Sequence, residues 1–338
     1  MKILITGASG FIGSFIVEEA LRRGMETWAA VRRTSSRGYL TDPRINFIEL
    51  NLGSEEELTA QLRGKEFDYV VHAAGATKCL DTRDFFRTNT EGTKHLAAAL
   101  AAAGVQVKRF VYLSSLSVFG AIREKQPYQD IEEGDTPRPN TAYGQSKLEA
   151  EQWLRSFADD ERRQGRHFDY VVLRPTGVYG PREKDYFLMA KSIKNHSDFA
   201  VGFTRQDITF VYVSDVVQAV FLALDRGSSG RAYFLTDGEV YQSATFSRLI
   251  KRELGVGWWL RITAPIWLLR VITAVGDAWG HLTGTITALN NDKYHILKQR
   301  NWRCNIAPAK AELGYEPQVR LEEGVRRSIK WYKENGWL

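Results

Sequence analysis

The sequence predicts an α/β fold: a doubly wound parallel sheet with a smaller, discontinuous C-terminal domain. Three observations predict it. Short apolar runs alternate with helix-like stretches through the first half of the chain. Each run is almost continuously apolar, as strands covered on both faces are. A glycine-rich turn, Gly7-Ala8-Ser9-Gly10-Phe11-Ile12-Gly13, follows the first run and opens a helix.

Taken in order, the strands are Lys2–Thr6, Thr27–Val31, Ile45–Leu50, Tyr69–Ala74, Arg109–Ser114 and Tyr170–Leu173. Helical stretches between them include Phe15–Arg23, Thr90–Ala103 and Gly144–Ala158. Right-handed crossovers between parallel strands then wind the chain over both faces of the sheet. At Pro175-Thr176-Gly177-Val178-Tyr179-Gly180-Pro181 the rhythm breaks, and the chain leaves the sheet. Ile208–Val213 and Ala232–Leu235 read as strands returning to it, and the chain from about Tyr241 reads as mostly helical with Trp-rich patches. Residues 1–175 with about 205–240 are expected to form one domain, and about 176–204 with 241–338 the other. No internal repeat is visible.

Composition excludes several classes. With 43% hydrophobic and 25% charged residues, the 338-residue chain is an ordinary globular one. Its net charge of +6 is spread, with short clusters such as Arg22-Arg23 and Arg32-Arg33, whereas a nucleic-acid surface gathers basic residues on one element. An anionic ligand accounts for the excess equally well. Cys79 and Cys304 stand apart in no CxxC pair, so neither a disulfide framework nor a zinc site is expected, no metal is predicted, and a reducing, cytoplasmic location fits. Met1–Thr6 reads as a buried strand and not as a cleavable leader.

The glycine turn carries the first chemistry. A tight strand-to-helix turn needs glycine where a side chain would clash. A second glycine lets backbone N–H groups approach a pyrophosphate, and a third lets the helix pack on the strand. The helix N-terminus then faces the anion with free N–H groups. A purely structural turn is the competing reading, but its position after the first strand of an alternating pattern favours a Rossmann dinucleotide site built on Gly7, Ser9, Gly10, Phe11, Ile12 and Gly13. At the end of the second strand, where a carboxylate would hold the ribose of NAD, the chain reads Ala30-Val31-Arg32-Arg33. Two guanidiniums suit a 2′-phosphate, so NADP(H) is expected, led by Arg32, with NAD the alternative and a solvated surface pair the simpler reading of the arginines.

Tyr143 and Lys147 are four apart and share a helix face. A phenol ordinarily titrates near 10, and a neighbouring ammonium favours its phenolate, so Lys147 is expected to lower Tyr143 toward working pH. Ser115 lies in Ser114-Ser115-Leu116-Ser117-Val118-Phe119-Gly120, at the carboxyl end of the fifth strand, where open α/β sheets bind ligands. It is placed to hydrogen-bond a substrate oxygen against Tyr143. A second Tyr-x-x-x-Lys, Tyr294 to Lys298, lies far from the turn and is expected to be ordinary surface or packing.

Together these motifs resemble the extended short-chain dehydrogenase/reductase family (the NAD-dependent epimerase/dehydratase group), and they do so in order from residue 1 to about 220. The resemblance rests on Thr6-Gly-x-x-Gly-x-x-Gly13, Asn89-Thr90-Glu91-Gly92-Thr93, Ser114-Ser115, Tyr143 to Lys147, Arg174-Pro175-Thr176-Gly177-Val178-Tyr179-Gly180-Pro181 and Phe210 to Val217. It implies catalytic Ser115, Tyr143 and Lys147, with Lys147 also on the nicotinamide ribose. Asn51-Leu52 would lie beside the adenine, where the family carries Asp-Leu. Ala73-Ala74-Gly75 would lie under the cofactor, with Pro175 and Val178 beside the nicotinamide, and Asp215 would be structural. Family dehydratases carry acids where this chain has Leu116 and Ser117, which disfavours dehydration. Tyr233-Phe234-Leu235-Thr236-Asp237-Gly238-Glu239 looks closest to the 3β-hydroxysteroid dehydrogenase and dihydroflavonol reductase branch. The expected function is an NADP(H)-dependent exchange between a hydroxyl and a carbonyl on a fairly apolar small molecule. A nucleotide-sugar epimerase holding NAD is the alternative, and a non-catalytic dinucleotide sensor is the third reading.

The stretch holding Trp258, Trp259, Ile262, Ile266, Trp267, Leu268, Leu269, Val271, Ile272, Val275 and Trp279 has three readings. It can line an apolar pocket, pack as an amphipathic helix on its own domain or on a homodimer partner, or lie at a membrane surface. Arg261, Arg270 and Asp277 interrupt it too often for a spanning helix.

Overall fold

The computed structural model describes residues 1–283 and 291–338 and, over 277–282, the backbone alone. Its chain runs through β1 (Lys2–Thr6), α1 (Phe11–Arg22), β2 (Glu26–Val31), β3 (Asn46–Glu49), α2 (Glu55–Leu62) and β4 (Tyr69–His72). α3 (Arg83–Phe85) continues through a π-turn, Phe86–Glu91, into α4 (Gly92–Ala102), and β5 (Arg109–Leu113), α5 (Ala142–Arg163) and β6 (Tyr170–Pro175) follow. An excursion comes next: β7 (Gly177–Tyr179), α6 (Lys184–Lys194), β8 (Ser197–Val201), β9 (Asp207–Ile208) and β10 (Phe210–Tyr212). α7 (Val213–Arg226) leads to β11 (Ala232–Leu235), β12 (Tyr241–Gln242), α8 (Ser243–Leu254) and β13 (Leu260–Ala264). Helices α9 (Ile266–Thr283) and α10 (Asn291–Lys298), a π-turn at Ala309–Leu313 and helix α11 (Leu321–Glu334) follow.

The main sheet has seven parallel strands in the order β11-β6-β5-β4-β1-β2-β3. Its strands lack alternation because both faces are covered. Ile3, Ile5, Val71 and Val111 pack with Ile16, Val17 and Ala20 of α1 and with α7. Their strand neighbours Leu4, Val70, Phe110 and Tyr112 pack with α2, α4 and α5 on the other face. Each such side chain taken wholly out of water contributes roughly 1.5–3 kcal/mol. The edge strand β3 is only partly covered.

Ile208–Val213 does not return to the main sheet. It splits at Thr209. β9 pairs antiparallel with β12, and β10 pairs parallel with β7, while Val213 already begins α7. The edge beside β6 is taken by β11, so β10 has no place there and lies against the excursion. β8 and β13 form a further parallel pair that the sequence pattern does not reveal. The aromatic stretch is β13 and α9, and the side chains of Asp277 and Trp279 lie outside the described residues.

Candidate active site

The glycine turn is built by close approach. Gly7 has a left-handed φ of +66°, and a Cβ on it would sit 2.6 Å from the backbone of Ala73 and Ala74. A Cβ on Gly13 would sit 2.1 Å from the Gly7 carbonyl oxygen, so α1 can leave β1 at this angle only without one. The Gly10 N–H donates to the Gly7 carbonyl (2.9 Å), which closes the turn. Gly10 caps α1 with no side-chain acceptor, and the first turn carries no acid. The N-terminal N–H groups and the positive end of the helix are therefore directed at the carboxyl edge of the sheet, where an anion is stabilised.

A buried polar chain ties this turn to the catalytic helix. The Thr93 hydroxyl donates to the Asn89 carbonyl (2.6 Å), so its oxygen accepts from His72 Nε2–H (2.9 Å). His72 Nδ1 then accepts from the Thr6 hydroxyl (2.7 Å), whose oxygen also takes the Ala74 N–H (3.3 Å). Burial, followed by the Lys147 charge, pushes His72 down to about 3, so the imidazole is neutral, as this chain of bonds requires. From Asn89 the amide donates to the Ser146 hydroxyl (3.0 Å), which donates to the Tyr143 carbonyl (2.8 Å).

Tyr143 and Lys147 stand one turn apart on α5, capped by Thr141, whose hydroxyl accepts from the Gly144 N–H (2.9 Å). Ser115, which the turn after β5 brings into the same cleft, lies near enough to the Tyr143 phenol to favour its ionised form. The Ser115 hydroxyl also takes the Ser117 N–H (3.1 Å). Lys147 is buried, and its Nζ donates to the Leu113 carbonyl (2.8 Å) and lies 4.8 Å above the Tyr112 ring. Gly75 makes room for it, because a Cβ there would sit 3.0 Å from Nζ.

One electrostatic expectation is corrected. Burial raises the Tyr143 phenol above its ordinary value, and the nearby Ser115 hydroxyl offsets this only in part. Lys147 is not among the groups that lower it, because its ammonium is directed at Leu113. Burial instead lowers Lys147 to about 8, opposed by Glu151.

The other expected residues divide. Gly7, Gly10, Phe11, Ile12, Gly13, Ala73, Gly75, Pro175 and Val178 line one cleft of about 730 Å³ with Ser115, Tyr143 and Lys147. Ser9 and Ala74 belong to the turn and its contact but do not line that cleft. Arg32 and Arg33 lie exposed just past β2, where the Ser35 N–H closes a turn on the Arg32 carbonyl (2.9 Å). No ion pair to a described residue holds either guanidinium, and neither residue lines the cleft. Asn51 is engaged locally: its oxygen takes the Gly53 N–H (3.1 Å), and its amide donates to Glu57 (2.8 Å). Leu52 gives its carbonyl to His95 (2.9 Å). Tyr294 and Lys298 pack on each other outside the cleft, Nζ 5.7 Å from the ring. Asp215 accepts the Val319 N–H (3.0 Å) and acts structurally.

Sequence reasoning missed the other wall. The cleft runs on past Tyr143 to Phe199, Ile208, Phe210, Phe246, Ile296 and Leu297. A charged cluster is part of its lining. Asp185 binds both Lys78 and Lys293, the latter at 3.2 Å, and although burial raises its carboxyl, Lys293 and Lys78 bring it below the ordinary range. Asp292, from α10, accepts the N–H groups of Ala142 and Tyr143 (3.2 Å each), which are the first two of the catalytic helix. No sequence signal marks a contact 149 residues long. Among the described residues, no group of acids, cysteines and histidines could hold a metal.

Comparison with known proteins then decides the family. The model of the NAD dependent epimerase/dehydratase family matches residues 3–236, which include the turn and all three catalytic candidates. The chain belongs to this family. It is thus an enzyme of the extended short-chain dehydrogenase/reductase type, an oxidoreductase or epimerase dependent on a nicotinamide dinucleotide. Similar epimerase/dehydratase-family proteins include a Candida albicans sterol-4-alpha-carboxylate 3-dehydrogenase, 26% identical over 99% of this chain and 98% of that one. A Vibrio cholerae UDP-glucose 4-epimerase is 26% identical over 97% and 94%. In fold the chain matches the Streptomyces venezuelae dTDP-glucose 4,6-dehydratase, solved with NAD, at a TM-score of 0.80 and 24% identity over 100% and 98% of the two chains.

Proposed function

We propose that this family member is a cytoplasmic, NADP(H)-dependent oxidoreductase that interconverts a hydroxyl and a carbonyl on a fairly apolar small molecule. One observation carries the reading. Ser115, Tyr143 and Lys147 lie in a single cleft, between the uncapped glycine turn and a wall of Phe199, Ile208, Phe210 and Phe246.

The residues present fit a dinucleotide. Gly7, Gly10, Gly13 and Gly75 line the cleft without side chains, and the α1 N-terminus has no side-chain acceptor of its own. Gly7, Ser9, Gly10, Phe11, Ile12 and Gly13 would hold the pyrophosphate, and Arg32 with Arg33 the 2′-phosphate. Asn51 and Leu52 would lie beside the adenine, Ala73, Ala74 and Gly75 under the cofactor, and Pro175 and Val178 beside the nicotinamide. When bound, the dinucleotide supplies or accepts the hydride. Tyr143 Oη gives or takes the proton at the substrate oxygen, Ser115 orients that oxygen, and the Lys147 ammonium holds the ribose. A phenol raised by burial stays protonated and is suited to donation. Leu116 and Ser117 offer the cleft no carboxylate for dehydration. Residues about 176–204 and 241–338 form the substrate side of the molecule.

A second reading, a nucleotide-sugar epimerase, is favoured by Lys78, Lys293 and Arg261 in the cleft lining, which suit a substrate diphosphate. Titration with NADPH and with NADH separates the two. The first reading expects tighter NADPH binding, and Arg32→Ala should weaken it about tenfold to a hundredfold, the loss of a charge-assisted contact. Tighter NADH binding, or NAD carried through purification, overturns the NADP assignment and favours the epimerase.

A further inference from the structure

Most of the large apolar side chains left exposed among the described residues fall in two short segments, around β8 and from Trp258 to Val275. The β8–β13 register makes one surface of them. Phe199 pairs with Ile262 and Ser197 with Leu260, so Phe199, Leu260 and Ile262 share the outer face. Asp198 and Arg261, one residue along, face inward and bind each other at 2.6 Å. Trp258, 66% exposed, stacks on His196 (4.2 Å) at one end of this face. At the other end the Gly202 N–H bonds the Ala264 carbonyl (2.9 Å), which sets Phe203, 79% exposed, beside the start of α9.

Helix α9 is inverted relative to an ordinary surface helix. Leu269 and Thr273 are buried, while Trp267 (68% exposed), Val271 and Val275 stand outward at spacings of four. An outward stripe of Trp and Val is the opposite of what water selects.

Cations stand in and beside this face. Arg270 stands exposed within the outer face of α9, and Lys194 lies two residues before the His196 that carries Trp258. Lys251 Nζ lies 5.2 Å over the Trp259 ring. Asp198, the acid within the β8–β13 pair, is buried and paired. No described helix is long and apolar enough to cross a membrane. An apolar face with Trp at its edge and a cationic rim is the composition of an element lying in the headgroup region of a bilayer.

The patch also continues into the cleft. Phe199 is 67% exposed on the outer face and lines the cleft beside Ala200 and Val201.

We infer that the β8–β13 pair and α9 form a docking face for a bilayer that carries anionic lipid, with the mouth of the substrate cleft at the lipid surface. Docking stands on the patch and its charge alone. Its consequence, that an apolar substrate reaches Tyr143 from the lipid phase, rests on the proposed function.

The test is flotation of the purified full chain, without substrate, with phosphatidylcholine vesicles and with mixed phosphatidylcholine/phosphatidylglycerol vesicles. The inference expects flotation with the mixed vesicles, at least tenfold tighter than with neutral ones and weakened by salt. A double Trp258→Ser, Trp267→Ser variant should bind at least tenfold more weakly. Both positions are exposed, so its circular dichroism and NADPH titration should match wild type, which separates a failure of docking from a failure of the dinucleotide reading. Absence of flotation, or flotation unchanged in the variant, overturns the inference. So does a dimer in light scattering that these substitutions dissociate, since the occupant would then be a second copy of the chain.

Discussion

Gly7→Ala tests how the cofactor turn is built. Two costs fall on it. A φ of +66° costs an L side chain about 1–2 kcal/mol. The new Cβ also sits 2.6 Å from the Ala73 carbonyl and the Ala74 nitrogen, which are backbone atoms and have no rotamer to yield. β1 and β4 are paired in register through Thr6 and His72, so relief means shifting the turn and straining the Ala74–Thr6 bond. Overpacking of this kind adds about 1–3 kcal/mol. The total is about 2–5 kcal/mol. Gly104 is the internal control: its φ is +72°, with nothing within 4 Å of a new Cβ, so Gly104→Ala should cost only the backbone share, about 1–2 kcal/mol. Urea unfolding of the two variants isolates the close approach as their difference, and NADPH titration should show at least tenfold weaker binding for Gly7→Ala alone. Equal stability losses in the two variants, or wild-type NADPH affinity in Gly7→Ala, would refute the reasoning.

Further outcomes follow from the same geometry. His72 titrates near 3 when folded against about 6.5 unfolded, so its contribution is fully present above pH 6.5 and is lost as the pH falls toward 3. The loss is at most about 5 kcal/mol, and a stability curve flat between pH 6.5 and 4 would contradict it. Asp292→Ala removes the acceptor of the Ala142 and Tyr143 N–H groups and should cost about 1 kcal/mol in urea unfolding. It should lower kcat several-fold at unchanged dinucleotide affinity, and an unaltered kcat would deny α10 a part in placing Tyr143. Glu151 and Arg174 form a buried bidentate pair (3.1 and 2.5 Å), so Glu151→Ala strands a guanidinium and should cost about 3–5 kcal/mol. A loss below 1 kcal/mol would mean that water reaches Arg174.

The six sheet strands of the first half were legible because burial on both faces writes itself as continuous apolar runs, and the glycine turn because a close approach leaves no alternative residue. Tyr143 and Lys147 were legible as a helical spacing, and the strand end placed Ser115 beside them. The misreading of Ile208–Val213 has a physical source. A short apolar run shows that a strand forms but not which edge is free, and β11 had taken the edge beside β6. The electrostatic misreading is similar. A spacing of four puts Lys147 on the face of Tyr143 but says nothing of the Leu113 carbonyl that holds its ammonium. The Lys78–Asp185–Lys293 cluster and the Asp292 contact join segments more than a hundred residues apart and leave no local pattern. β8 and β13 were hidden because their apolar face points outward, where alternation carries no core signal.

The most direct test of the account is Tyr143→Phe, which removes one oxygen and keeps the ring beside Phe85 (6.1 Å). NADPH oxidation would be followed against a panel of apolar ketones and aldehydes, with NADPH affinity titrated in parallel. The account predicts unchanged affinity with turnover reduced at least a hundredfold, the contribution of a positioned acid/base. Turnover within a few-fold of wild type would contradict it.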